Sequence, residues 1–420
     1  MTEYENWSKQ QLIDKIRELE SLNNTKPEDS ISTPDQTLIQ PTENTTTKVS
    51  DKKKKKFVFS NHPTRFIALK FAYLGWNYNG LAFQYEPTPL PTVEEEILKA
   101  LEKARLISEA DPSCCKFSRC GRTDKGVSAM NQVISLNVRS NLSLEEQQDK
   151  VNDNKELPYI TILNSLLPSD IRITALSLRP PVDFDARFSC KYRHYRYLIN
   201  KEGLDIDLMN EAAAKYVGIH DFRNFCKLDG SKQITNYNRE VYSSKIIEHD
   251  DDFYIFDLKG SAFLWHQVRC MVAILFTVGQ KLEAPTLVDD LLNVEKYPTK
   301  PNYEMANDIP LILYDCVFPE MEWYKPSELP NFNKAFKEFN KFKGSNMDYN
   351  LKTRVSNIMK DMVIQDEEKS PVEGKFVNLG DGKGRNFRNY VPILKRDFGE
   401  SFEVVNERHR IKKLSKTQST

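Results

Sequence analysis

The stretch FSRCGRTDKGVSAMNQVISL, Phe117 to Leu136, runs a glycine-bracketed loop directly into a strand. Gly121 and Gly126 flank Arg122, Thr123, Asp124 and Lys125, and glycine permits the tight turns that put such a segment on a rim. Asp124 then has two readings: a turn residue capping its neighbours, or a carboxylate held out at a loop edge for chemistry. Spacing alone does not separate them. Beyond the loop, QVISLNV (Gln132 to Val138) alternates as a strand. Upstream, RFIALKFAYLGW sets Ile67, Leu69, Phe71 and Tyr73 on one strand face and Lys70 on the other. Between the two strands, Thr92 and Glu94, Glu95 and Glu96 open a helix through Ile97, Leu98 and Leu101, with the acidic residues at its positive end. Asp111 and Pro112 mark a loop. Downstream, Leu157 to Leu178 holds a helix-like ITILNSLL and then a strand-like IRITALSL.

The second part repeats the style. KYRHYRYLI (Lys191 to Ile199) alternates, LMNEAAAKYVG reads as a helix closing at Gly218, DFYIFDLKGSAF reads as a strand, and LWHQVRCMVAILFTVG reads as a buried helix ending at Gly279. The order predicts an α+β fold: two similar α/β lobes, with mainly antiparallel mixed sheets flanked by helices, around a central cleft. The expected boundaries are 65–185 for the first lobe and 186–320 for the second. Residues 321–420, charged and ending on a basic tail, form an appendage. Residues 1–64 precede the core. There Ser8 and Gln11 read as a capping box, Leu12, Ile16 and Leu19 share a helical face, Asn23 to Ser50 reads as a flexible tail, and Lys52 to Lys56 form an unbroken basic run. That run reads first as a solvated stretch, with nuclear import or phosphate contact as the alternatives.

Lys+Arg and Asp+Glu both stand at 60, so the zero net charge announces no polyanionic partner, and any nucleic-acid surface must come from charge segregation. The seven scattered cysteines lack the spacing of a disulfide framework, and Cys114, Cys115 and Cys120 lack the paired pattern of a zinc ribbon. No metal is expected. The polar N-terminus and the lack of any run of about 18 apolar residues lead to the expectation of a soluble intracellular protein with no membrane association.

GRTDKGVSA matches the GRTDxGVxA signature of TruA-type tRNA pseudouridine synthases, and further landmarks of that family recur in order. These are YLGWNYNGLAFQ (Tyr73 to Gln84), PTVEEEILKAL (Pro91 to Leu101), LPSDIRITAL (Leu167 to Leu176), FDARFSCKYRHYRYLI (Phe184 to Ile199), GIHDFRNF (Gly218 to Phe225) and FLWHQVRCMV (Phe263 to Val272). The resemblance covers about Arg65 to Pro319, and its wording is most similar to the eukaryotic branch that modifies tRNA positions 38 and 39. It implies an isomerase without a cofactor, acting on the anticodon stem-loop of tRNA in nucleus and cytoplasm, with a homodimer as the family's example. It implies three roles around Asp124 as the catalytic residue. Arg269 pairs with Asp124, Tyr195 stacks on the uracil with Tyr197 as its rival on the same strand face, and Arg122 enters the RNA to help displace the target nucleotide. Other uridines as targets, or a non-catalytic RNA-binding factor on the same fold, stand as alternatives.

Basic residues fit to meet phosphates are Lys116, Arg119, Arg122, Lys125, Arg187, Lys191, Arg193, Arg196, Arg223 and Lys227. His194, His220 and His266 read as structural, because none lies in a nucleophile motif and the chemistry needs no histidine. Leu264 and Val268 read as apolar wall or core.

Overall fold

The computed structural model describes residues 10, 14–15, 57–326, 332–363, 375–382, 385–387 and 389–417. The chain divides into two compact units, Met1–Lys56 and Phe57–Thr420. In the first, Gln10, Asp14 and Lys15 are helical, and the Gln10 amide donates to Asp14 at 3.2 Å. The rest of the expected N-terminal helix, the tail Asn23 to Ser50 and the run Lys52 to Lys56 lie outside the described residues.

The second unit holds, in chain order, β1 (Thr64–Tyr73), α1 (Val93–Lys103), β2 (Ser118–Arg119), β3 (Ser128–Arg139), α2 (Tyr159–Leu166), β4 (Ile171–Ser177), β5 (Tyr192–Asn200), α3 (Ile206–Ala214), β6 (Gly218–Asp221), β7 (Asn238–Glu248) and β8 (Phe253–Gly260). After these come α4 (Gln267–Gly279), α5 (Leu287–Leu292), β9 (Leu311–Val317), α6 (Phe332–Val363), β10 (Lys375–Val377), β11 (Arg385–Phe387) and α7 (Phe402–Thr417). The mixed, mainly antiparallel sheet runs β4-β1-β3-β9-β5-β8-β7-β6, with β2 added beside β3. Its two halves share this one sheet. They are joined by β9, which pairs with β3 in parallel at Ser128–Ile312 and Ala129–Leu313 and with β5 antiparallel along its length.

The local signals explain the elements. Thr92 and Glu95 close the capping box of α1, and Val93, Ile97, Leu98 and Leu101 bury its inner face. Helix α4 is apolar on nearly every side, the mark of an element buried all round, and Arg269 is its single residue not fully buried. Each large side chain there contributes about 1.5–3 kcal/mol by leaving water. Two details differ from the sequence reading. Helix α3 ends at Lys215, whose N–H reaches the Ala212 and Ala213 carbonyls, so Gly218 is no helix cap; with φ at +117° it starts β6. And described residues between 377 and 396 are knitted into the second half rather than hung on it. Gln280 exchanges two hydrogen bonds with the Asn378 backbone, while Glu283 accepts from both the Tyr390 hydroxyl and the Ile393 N–H at 2.7 Å. Among the described residues no helix is long and apolar enough to cross a membrane.

Candidate active site

The Gly121–Gly126 loop is fixed to the first half at several points, and the fixings choose which side chains face outward. Cys120 N–H bonds Val133 O at 2.9 Å, the Gln132 amide donates to Gly121 O at 2.8 Å, and Leu81 N–H donates to Thr123 O at 3.2 Å. The Thr123 hydroxyl meets the buried Tyr73 hydroxyl at 2.6 Å, and a turn closes where Val127 N–H reaches Asp124 O at 3.2 Å. Gly126 has φ of +81°, and a Cβ there would lie 2.8 Å from the Asp308 carboxyl carbon. Only glycine fits both conditions without strain. With the backbone so held, Thr123 points in, while Arg122 and Lys125 are exposed and Asp124 keeps 24% of its side chain in water.

Arg119, one residue before Cys120, donates through two nitrogens to the fully buried Glu94, which also accepts Phe83 N–H at 2.7 Å. Burial pushes Glu94 above the usual carboxylate range, and Arg119 pulls it back. From the other half, Arg193 on β5 donates to Cys120 O at 3.0 Å, Arg187 O at 2.9 Å and Ser261 O at 2.7 Å. A guanidinium of the second half thus grips the root of the first half's loop.

Asp124 faces the start of α4. His266, the residue capping that helix in a left-handed conformation (φ +62°), brings Nε2 to 3.6 Å from the Asp124 carboxylate. The Trp265 side chain lies beside the same carboxylate and favours its ionised form, and the Lys227 ammonium sits 4.8 Å from the Trp265 ring centre. Arg269 donates from Nε to Ala306 O at 2.8 Å and makes its ion pair with Asp308 at 3.9 Å. Among the described residues no direct Arg269–Asp124 pair lies within 4 Å, so the guanidinium acts on Asp124 through space. Desolvation raises the Asp124 carboxyl to about 6; Arg269, Trp265 and Lys227 oppose that rise, and Asp308 adds to it. The carboxylate is therefore mostly ionised at neutral pH while largely stripped of water. Burial and the neighbouring Arg269, Lys227 and Lys300 push His266 down to about 4. A neutral imidazole with its proton on Nε2 offers a donor to Asp124, and its Nδ1 is buried with no hydrogen-bond partner.

The two tyrosines of one β5 face part company. Tyr195 is buried beside Asp124, whose charge, after burial and Cys316, is among the causes holding its phenol well above its ordinary range, and its ring meets Phe263 at 5.1 Å edge-on. Tyr197 is fully buried, and its hydroxyl donates to Leu379 O at 3.4 Å and lies against Gly380. Its polar end belongs to the C-terminal segment.

Of the ten basic residues named from sequence, four are engaged inside the protein. They are Arg119 with Glu94, Arg193 with three carbonyls, Arg196 with Asp257 at 3.1 Å, and Arg223 with Asp221 at 2.6 Å. Lys116, Arg122, Lys125, Arg187, Lys191 and Lys227 are exposed. His194 bonds Asp257 at 2.6 Å and His220 meets Val217 O at 3.0 Å, both structural arrangements. His266 is not of that kind, because its ring faces Asp124. Its signal in the sequence is its place three residues before Arg269; Trp265 and Asp308 carry none that periodicity reveals.

Residues 212–319 match the family described as tRNA pseudouridine synthase. The chain is 54% identical to the tRNA pseudouridine(38/39) synthase of Saccharomyces cerevisiae over 416 residues, which span 99% of this chain and 93% of that one. This chain belongs to the tRNA pseudouridine synthase family. More distant relatives agree: the tRNA pseudouridine(38/39) synthase of Homo sapiens is 41% identical across 77% of this chain and 69% of its own. The tRNA pseudouridine synthase A of Methanosarcina mazei is 35% identical across 55% and 77%.

Proposed function

We propose that this protein isomerises uridine to pseudouridine at positions 38 and 39 of the tRNA anticodon stem-loop, with Asp124 as the catalytic residue. The observation that carries the reading is an ionisable carboxylate on a rigid loop, desolvated yet faced by Trp265, His266 and Arg269. The reaction breaks the N1–C1′ bond, turns the base while it stays bound, and joins C5 to C1′; C5 loses a proton and N1 gains one. Substrate and product are isomers, so no redox partner is needed. Asp124 serves by attacking C1′ or C6, or by taking a proton from C2′, and each route requires the ionised form. Burial both strengthens the carboxylate's interactions with the reacting sugar and base and confines ionisation to pH above about 6.

Tyr195 supplies an aromatic ring beside Asp124 for stacking on the uracil, worth about 1–3 kcal/mol. Its phenol holds its proton in the tRNA-free protein, so it offers a hydroxyl rather than a phenolate. Arg122, exposed two residues before Asp124, enters the RNA as the target nucleotide leaves its stack. The exposed lysines and arginines near the loop and at the start of β5 meet phosphates, so binding weakens steeply with salt.

The test is product mapping on labelled tRNA with wild type and Asp124→Ala. Wild type is expected to place pseudouridine at 38 and 39. Asp124→Ala is expected to lose turnover by more than about a thousandfold, while tRNA affinity stays within about tenfold, or about 1.4 kcal/mol. Absence of pseudouridine from wild type on any tRNA would refute the activity; product confined to other positions would refute the site assignment and leave the chemistry standing.

A further inference from the structure

The loop that carries Asp124 is covered at Gly126 by a second carboxylate, that of Asp308. Ala306, Asn307 and Asp308 form the approach to β9. Ala306 exchanges hydrogen bonds with Arg269 in both directions, giving its N–H to Arg269 O at 3.1 Å and its carbonyl to Arg269 Nε at 2.8 Å. Asn307 N–H is tied to Leu379 O at 2.8 Å, and Asp308 O accepts Leu311 N–H at 3.0 Å. A segment braced on α4, on the C-terminal chain and on β9 fixes where the Asp308 side chain goes. That carboxylate lies over the Gly126 backbone, in space a side chain at 126 would fill, and its Oδ2 is 3.9 Å from Arg269.

We propose that Asp308 is a positioning residue of the active site, a second carboxylate that holds one edge of the Arg269 guanidinium and so decides how much of that charge reaches Asp124. The proposal rests on the catalytic reading of Asp124. One guanidinium between two carboxylates divides its attraction, and two carboxylates near each other resist joint ionisation. Asp124 is faced by Trp265, His266 and Arg269 at the head of α4, by Lys227 from the connection between β6 and β7, by Tyr195 of β5 and by Asp308; Asp308 in turn faces Arg269 and the Tyr197 phenol. Of these, Asp308 is the one that both repels Asp124 and occupies its strongest counter-charge. Without Asp308, Arg269 is left to Asp124 alone, which eases ionisation of Asp124 and quenches it as a nucleophile.

The measurement is the pH profile of kcat/KM on tRNA for wild type, Asp308→Asn and Asp308→Glu. Asp308→Asn is expected to move the acid limb to lower pH by about 1 unit and to lower the plateau, with Asp308→Glu restoring both toward wild type. An acid limb that stays in place in an active Asp308→Asn enzyme overturns the proposal. If wild type itself makes no pseudouridine, the functional reading fails first, and that result is distinct. A second readout needs no turnover: the pH above which the stability gained by Asp124→Asn levels off reports the ionisation of Asp124 in the folded protein. That pH should be lower in the Asp308→Asn background, and an unchanged value overturns the proposal whatever the activity.

Discussion

The half of the sheet built from β4, β1, β3 and β2 brings a single carboxylate to the site, on a loop held at Gly121, Thr123 and Val127. The half built from β5, β8, β7 and β6 brings Tyr195 on a strand and Trp265, His266 and Arg269 around the head of α4. One half carries Asp124; the other sets its charge and, through Arg193, helps hold the root of its loop. The asymmetry shows in the anchoring as well. In the first half a fully buried Glu94 holds the strand leading into the loop, whereas in the second a buried Asp257 holds His194 and Arg196 behind the tyrosine strand, away from Asp124. Damage to the clamp at Glu94 should therefore displace the carboxylate, and damage around the head of α4 should retune it.

The largest break expected is Glu94→Ala, which strands Arg119 without its partner and should cost about 3–5 kcal/mol in urea denaturation. A loss under about 1 kcal/mol would mean the loop's position does not depend on this clamp. Next comes Asp124→Asn, which should stabilise the protein at pH 7.5 by about 1–3 kcal/mol. The sign follows from a folded value of about 6, above that of the unfolded chain. Wild type is most stable with Asp124 protonated and loses that stability as pH rises through about 6, while the amide is indifferent; below about pH 4 the two proteins should melt alike. Equal stability at every pH would show that Asp124 is not desolvated. The smallest effect separates the tyrosines: Tyr197→Phe should cost about 0.5–1 kcal/mol and leave turnover within about twofold, because its hydroxyl serves Leu379. Tyr195→Phe should do the reverse, lowering turnover with little change in melting, and matching losses from both would erase the distinction.

Strands such as β1 and β3 and the capped helix α1 were legible because their apolar period and their capping residues are local. The Asp124 segment stood out through its resemblance to a family signature, although spacing alone left it a turn. What the sequence withheld depends on distance in the chain. Asp308 lies far along the chain from the loop it covers, and its relation to Gly126 exists only once β9 has paired with β3. His266 was read as structural because no periodicity distinguishes a ring that fills space from one aimed at a carboxylate. The basic residues divide for the same reason. Arg119 and Arg193 look as solvated in the sequence as Arg122 does, yet their partners, Glu94 and the Cys120 carbonyl, come from other elements.

Strand β9 has a consequence for the making of the protein. It is the last strand of the large sheet to leave the ribosome, and it belongs in the middle, between β3 and β5. While the chain is being synthesised, both neighbours wait with an unpaired edge, the condition that invites wrong pairing and the attention of chaperones.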